Sequence, residues 1–502
     1  MKNFILEKLK YYAGEFPESI ALVYNSTDIT YGQLDKITDY YAQEINKKIE
    51  NKKNEPIVIY KQRNLEFIIS IISVIKAHCY YIPLEIDTPL KRVINICNRV
   101  KPAAIICDNY MDKIKMECEH IKIKLTNTLN DDILNLKSHD IVDEIDNNDL
   151  VYMIFTSGTT GVPKGVKINY SNLYNLLQSL FDIVYNEFDS QINIGVLASF
   201  NFDASVKQIF GALYYGHTLV ISGKEVKYFG RKIHQFHNDY NLALCDCTPT
   251  HLQLMILQKT KTTTRIPYLM VGGENLKWET LIQLKKKLGY APIIINVYGP
   301  TECCVDVSYN YISNIVANKS GNVPIGIPVR NTKLLLYDER ESVITKCNVL
   351  GELVVFGNQV GGGYFEGDER DFIKDENGCN IAYKTGDLAK YVAKDEIVIL
   401  SRKDGQIKIN GNRIELGEIE TVISDYLRTP CVVLPRYSEN KVSLVAYIYL
   451  SKVDKMDLNN YLISILPAYM LPSEYKVLSV WPVTQNGKLD LKKLDIIIGE
   501  YI

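Results

Sequence analysis

An α/β fold in two parts, residues 1–403 and 404–502, is what this sequence predicts, and three observations carry the prediction. Short apolar runs alternate with longer amphipathic stretches, the pattern of strands followed by helices. The chain has 502 residues, more than one ordinary core accommodates. Charge and glycine gather at Ser401–Gly405, and a second, shorter α/β pattern follows them.

The elements can be read in order. Pro56–Tyr60 (PIVIY) reads as a buried strand, and Leu65 to Ala77 as the helix after it. Ala103–Cys107 and Leu150–Ser157 are further strands, the latter running straight into a glycine-rich turn. Ile293–Gly299 and Gly351–Gly357 continue the series. Lys47–Glu55 and Asp140–Asp149 are polar enough to be surface connections. Beyond the boundary come a strand at Gln406–Ile409, a helix over Glu415–Leu427, a strand at Val442–Leu450 and a helix before Leu466.

Composition excludes several classes. Hydrophobic residues make up 46% and charged ones 23%, which supports a packed core and argues against wholesale disorder. A formal charge of -2 gives no reason to expect nucleic acid or an anionic membrane as partner. The run Lys285–Lys287 reads as the wet side of a helix. Eleven cysteines include Cys245 and Cys247, one residue apart, and the adjacent pair Cys303–Cys304. Neither spacing suits a structural zinc site, so reduced thiols in a cytoplasmic protein are expected. The first residues lack the apolar core of a secretory signal, and the longest apolar stretch, Phe67–Ile75, is too short to span a membrane.

Phe155–Gly165 (FTSGTTGVPKG) is the most informative segment. Hydroxyls of Thr156, Ser157, Thr159 and Thr160 alternate with Gly158 and Gly161, and Lys164 follows. Glycines let backbone N–H groups converge on an anion, and the hydroxyls and ammonium add donors that fit a polyphosphate. A Walker loop would end in Gly-Lys-Ser/Thr; the order here is Pro163-Lys164-Gly165, so that assignment fails.

This segment resembles the phosphate loop of the adenylate-forming superfamily, which includes acyl-CoA synthetases, luciferases and adenylation domains of nonribosomal peptide synthetases. Further stretches similar to that family's motifs follow in order: Ile29–Asp35, Ile82–Arg92, Phe200–Leu213, Asn296–Glu302, Tyr383–Leu388, Ser401–Glu420, Leu466–Pro472 and Asn486–Asp490. The resemblance implies a large N-terminal domain of packed mixed sheets with helices and a small, mobile α+β C-terminal domain. It also implies an amino acid–carrier protein ligase. Such an enzyme uses ATP and Mg²⁺ to make an aminoacyl adenylate and pyrophosphate, then acylates the 4'-phosphopantetheine thiol of a carrier protein.

Roles follow from the resemblance residue by residue. Tyr298 would stack on adenine with Asn296 nearby, and Gly273, Glu274 and Gly299 would also border the nucleotide. Thr301 and Glu302 would hold the phosphates, with Glu302 the Mg²⁺ ligand. Asp387 would accept both ribose hydroxyls, with Arg402 close by. Lys488 would stabilise the charge that grows as the substrate carboxylate attacks the α-phosphorus. Asp404 stands at the family's hinge position; rotation there would replace Lys488 by the stretch Lys408–Arg413 and admit the thiol.

Asp203 matches the aspartate that pairs with a substrate α-ammonium. The side-chain pocket aligns to Ala204, Lys207, Asp246, Met270, Gly272, Val297, Val305 and Asp306. Lys207 stands where the family often has a large apolar residue; a buried ammonium needs anionic partners, which Asp246 and Asp306 can supply. The combination resembles glutamate-activating pockets, so L-glutamate is the expected substrate. Glutamine or another small polar amino acid is the alternative if the two aspartates fully neutralise Lys207.

Tyr170, Gly362, Ser401 and Gln485 depart from the family pattern, standing in place of histidine, arginine, glycine and proline. No carrier-serine or condensation-type His-His motif is seen, so the carrier is expected to be a separate or neighbouring domain. A related acid–CoA or amide ligase is the second enzyme reading. A non-catalytic nucleotide-binding regulator is disfavoured by the joint presence of Lys164, Glu302, Asp387 and Lys488.

Overall fold

A computed structural model describes residues 2–107, 121–123, 144–158, 163–258, 265–403, 406–438 and 441–478. Among these, the predicted strands form within a residue or two of their expected bounds, as Pro56–Lys61, Ala104–Cys107, Leu150–Thr156, Ile293–Tyr298 and Gly351–Gly357. Two largely parallel sheets carry most of the large part. In the first, of six strands, Pro56–Lys61 lies between Ala104–Cys107 and Tyr80–Glu85, and Leu150–Thr156 pairs antiparallel with Lys164–Asn169 at the edge. The second, of nine strands, runs from Ile327–Pro328 at one edge to Thr27–Thr30 at the other.

The helix Leu65–Lys76 has eleven of its twelve residues buried, which is why its sequence reads as one apolar run. It shares a single core with inward residues of both sheets, among them Ile57 and Ile59 of one, and Leu219 and Ile221 of the other. Alternate residues face outward: Val220, Cys245, Leu269 and Ile294 join helices Gly230–Asp239, Pro249–Leu257 and Trp278–Leu288 in a second core. A third sheet, antiparallel, spans Thr332–Arg402 and folds the segment Tyr383–Leu388 against the others.

Residues after Gln406 build a hairpin, Ile407–Ile409 with Asn412–Ile414, and a three-stranded sheet covered by helices Leu416–Leu427 and Lys455–Ile463. Their apolar side chains, including Ile414, Ile419, Leu444 and Leu462, form a cluster of their own. Among the described residues no helix is long and apolar enough to cross a membrane.

Three histidines shielded from water make the fold sensitive to acid. Loss of hydration pushes His217 and His251 down to about 4 and His237 to about 3. Unfolded, each would titrate near pH 6.5, so between there and about pH 4 the unfolded chain binds protons that the native chain does not. Stability is therefore complete above about pH 6.5 and falls on acidification, by roughly 1.4 kcal/mol per pH unit for each ring. Neither ring nitrogen of His237 has a partner among the described residues. Replacing His237 by leucine is expected to remove one proton from this slope, read as the urea midpoint at about pH 7 against about pH 5. Equal slopes in the two proteins would refute the assignment.

Candidate active site

Strands Leu244–Cys247, Tyr268–Val271 and Ile293–Tyr298 run parallel and in register, with Asp246 beside Met270. Because Cys245, Leu269 and Ile294 face the outer helices, the period of two turns Asp246, Met270 and Val297 to the opposite side. The helix Ala204–Tyr214 carries Lys207 one turn after Ala204, and its ammonium lies 3.1 Å from a carboxylate oxygen of Asp246 and 3.1 Å from one of Asp306. It donates to the other oxygen of Asp306 at 3.3 Å. All three side chains are buried. Burial lowers the Lys207 pKa, but Asp306 and Asp246 more than reverse this and the net shift is upward. Burial raises both aspartates, against the pull of Lys207.

The close approach of Gly272 and Val297 leaves no room for a side chain, since a Cβ on Gly272 would lie 2.8 Å from Val297 Cγ2. Gly299 is similarly required: its Cβ would meet the Val305 carbonyl oxygen at 2.1 Å. Cys304 and Val305 themselves have φ of 46° and 74°. For a β-branched residue that backbone costs on the order of 1–3 kcal/mol, and here it turns the chain so that Val305 and Asp306 enter the pocket. Asp203, just before the helix, bonds Thr301; burial raises its pKa, while Thr301 and the nearby Lys408 oppose the rise.

Glu302 is fully buried in the turn Thr301–Cys303. Both its oxygens accept from Arg413 Nη1 at 2.8 Å, and one also accepts from the Tyr364 hydroxyl at 2.8 Å. Burial would raise this carboxyl, but Arg413 and Tyr364 hold it below the usual range. Arg413 belongs to the hairpin of the C-terminal part, which makes further contacts with the large part. Ser157 Oγ donates to the Arg413 carbonyl and accepts from Glu415 N–H, both at 3.2 Å, and Gly411 N–H donates to Glu274 at 2.7 Å. Lys408, on the same hairpin, keeps an accessible side chain. The surrounding protein nonetheless lowers its pKa by desolvation, partly offset by Asp387 and, more weakly, Asp203.

On the other side, the Tyr298 hydroxyl donates to Asp387, whose second oxygen takes Arg402 Nη1 at 3.2 Å. Asn296 Nδ2 donates to the Pro324 carbonyl at 2.9 Å. Thr156 Oγ1 is buried with no hydrogen-bond partner among the described residues, at the strand end that opens the glycine-rich loop. Lys164 lies 5.0 Å from the ring centre of Tyr364, and a cavity of about 1140 Å³ opens between Lys164, Tyr364, Thr385, Arg402 and Arg413.

The structure thus brings together Asp203, Lys207, Asp246, Thr301 and Asp306 in one group, and Glu302, Tyr298, Asp387 and Arg402 alongside it. Thr159, Thr160, Gly161, Asp404, Gln485 and Lys488 lie outside the described residues. Tyr170 is a packing residue: it is buried edge-on to Phe4 and accepts from Asn3 Nδ2 at 3.4 Å. The Arg413–Glu302 pair, and Tyr364 beside it, were not foreseen from sequence. The family resemblance brings the stretch Lys408–Arg413 toward the site without saying which residue it meets there.

The family described as AMP-binding enzyme matches residues 9–365. Bacitracin synthase 1 of Bacillus licheniformis is 32% identical over 96% of this chain, and surfactin synthase subunit 1 of Bacillus subtilis 31% over 94%. The chain spans only 9% and 13% of those two proteins. D-alanine–D-alanyl carrier protein ligase of Bacillus licheniformis is 30% identical over 98% of both chains. Among solved structures, o-succinylbenzoate CoA synthetase of Bacillus subtilis has a TM-score of 0.83 at 20% identity, covering 99% of this chain and 98% of that one. A Vibrio cholerae adenylation domain bound to glycyl-adenosine-5'-phosphate has 0.81 at 20%, covering 99% and 97%. These last two show the fold.

Proposed function

The chain belongs to the AMP-binding enzyme family, and from that premise we propose that it is an adenylate-forming ligase that activates L-glutamate and passes it to the phosphopantetheine thiol of a carrier protein. The observation that carries the substrate reading is Lys207, a buried ammonium between Asp246 and Asp306 on the helix that Asp203 precedes. Asp203 suits the α-ammonium of an amino acid, and Lys207 suits a side-chain carboxylate. One ammonium between two carboxylates leaves a net negative floor, so a glutamate side chain needs a proton on Asp246 or Asp306. Burial favours that proton, and Asp306 Oδ2, near Lys207 but without a hydrogen bond of its own, is a fitting place for it. The same ion pairs support a second reading, glutamine or a smaller polar amino acid, in which both aspartates stay charged.

ATP fits the remaining residues. Thr156 offers an unpartnered hydroxyl and Lys164 an ammonium to phosphates, while Tyr298, Asp387 and Arg402 suit base and ribose. Glu302, with Thr301 beside it, is the kind of single oxygen ligand that Mg²⁺ takes together with phosphates and water. When bound, the metal would neutralise phosphate charge. The protein's own part is to align the substrate carboxylate with the α-phosphorus, through Asp203, and to spread the developing charge over Thr301, the phosphate loop and Lys488. Attack forms the acyl–phosphate bond and expels pyrophosphate; the thiol then displaces AMP from the acyl carbon. We take residues 404–502 to be a unit that swings about Asp404 between these steps. The packing described above, with Lys408 near Asp203 and Asp387, is the arrangement suited to the second.

Exchange of labelled pyrophosphate into ATP, run across the common amino acids, tests the reading. Glutamate is expected to give the fastest exchange; a clear preference for an apolar amino acid, or turnover to ADP, would overturn it.

A further inference from the structure

A buried ion pair joins the two parts of the chain away from the substrate pocket. Arg92 Nη1 lies 2.5 Å from Glu418 Oε1, and both side chains are buried. Arg92 sits on the helix Leu90–Val100 of the large part, and Glu418 in the first turn of Leu416–Leu427, the helix that follows the hairpin bearing Lys408 and Arg413. Two turns beyond Arg92, Arg99 Nη1 donates to the Pro163 carbonyl of the phosphate loop at 2.7 Å. One short helix therefore holds the C-terminal unit at one end and the phosphate loop at the other. Nearby, Lys91 donates to Ser464 at 3.3 Å and Tyr469 packs on Phe202, ring centres 5.8 Å apart, next to Asp203.

A buried ion pair adds little net stability over an apolar contact, but it is highly selective for its own geometry, and removing one partner strands the other. Glu418 Oε2 has no hydrogen-bond partner among the described residues, so the carboxylate depends on Arg92. We infer that Arg92 and Glu418 are positioning residues that hold the C-terminal unit in the arrangement seen here, so that the pair governs thiol transfer and not adenylate formation. The inference rests on the two-step reading above.

Three variants test it: Arg92→Gln, Glu418→Gln and the charge swap Arg92→Glu with Glu418→Arg. Pyrophosphate exchange reports the first step, and single-turnover transfer of preformed adenylate to free pantetheine reports the second. Either single variant should leave exchange within about twofold of the parent and slow transfer by about tenfold or more, and the swap should recover much of the loss. A parallel fall in both steps means a merely structural pair and overturns the inference, as does unchanged transfer. Amide hydrogen exchange at Gly411 and Glu415, whose N–H groups bond Glu274 and Ser157, reads docking without any substrate. It should quicken by about tenfold in Glu418→Gln. Unchanged protection refutes the latch even if the parent enzyme turned out to exchange pyrophosphate with no amino acid, which would sink the proposed function alone.

Discussion

Lys207→Gln is expected to reverse the enzyme's choice between glutamate and glutamine. In the parent, the substrate γ-carboxylate would accept a charge-assisted hydrogen bond from a buried ammonium that Asp246 and Asp306 hold in place. The variant offers a neutral amide instead, and it leaves two buried carboxyls facing an incoming anion. Losing a charged hydrogen bond costs about 1.5–3 kcal/mol, and the unpaired carboxyls add to this, so the ratio of kcat/KM for the two amino acids should swing by roughly 10²–10³. Glutamine, whose amide can donate to either aspartate, loses little. Rates of pyrophosphate exchange with both amino acids measure the ratio, and an unaltered ratio would remove Lys207 from the specificity determinants. The parent should also show a pH signature. A proton shared with Asp246 or Asp306 is needed for glutamate and not for glutamine, so kcat/KM for glutamate should decline as pH rises while that for glutamine stays level. Burial raises both carboxyls against the pull of Lys207, which favours holding that proton.

Asp203→Asn should be nearly as damaging, and by a different route. The carboxylate stands at the start of the helix Ala204–Tyr214, bonded to Thr301, where on the proposed reading it would meet the α-ammonium of the amino acid. Truncating one member of an enclosed charge pair costs about 2–5 kcal/mol, so adenylation of glutamate should fall by roughly 10²–10³. The informative control is glutarate, the same diacid without the amine. The parent is expected to discriminate strongly against it, and the variant should lose most of that discrimination because its rate with glutarate barely changes. Asparagine keeps the shape of the side chain and can still accept from Thr301, so the melting temperature should hold. A variant that discriminates as well as the parent would show that another residue reads the amine.

The sequence made the parallel sheets legible because their strands are buried on both faces: Pro56–Lys61 and Ile293–Tyr298 appear as apolar runs that no amphipathic helix would show. The pocket was legible through the family resemblance, which aligns its positions, and the charges found there obey a physical constraint. Asp246, Lys207 and Asp306 are charges set in apolar surroundings, which burial makes costly unless they meet, and they do. The antiparallel sheet was harder to read. Its long strand Asn380–Ala393 mixes charged and apolar residues with only partial burial, and of its neighbours only Gly351–Gly357 stood out. Pairings distant in the chain left no local mark at all: Leu22 lies beside Leu219, and Arg413 reaches Glu302 from another part of the molecule. Such partners follow from topology, which periodicity does not encode.

The enclosure of Glu302 has a consequence for equilibrium. Its negative charge is balanced here by Arg413, delivered from the far end of the chain, and no solvent reaches it. On the proposed reading, in which Glu302 also takes the Mg²⁺ ion, withdrawal of the hairpin and capture of a dissolved cation at this carboxylate would be reciprocal events. Whatever factor the docked arginine subtracts from the ion's affinity, the ion subtracts from docking, so ionic conditions alone bias which of the two arrangements prevails.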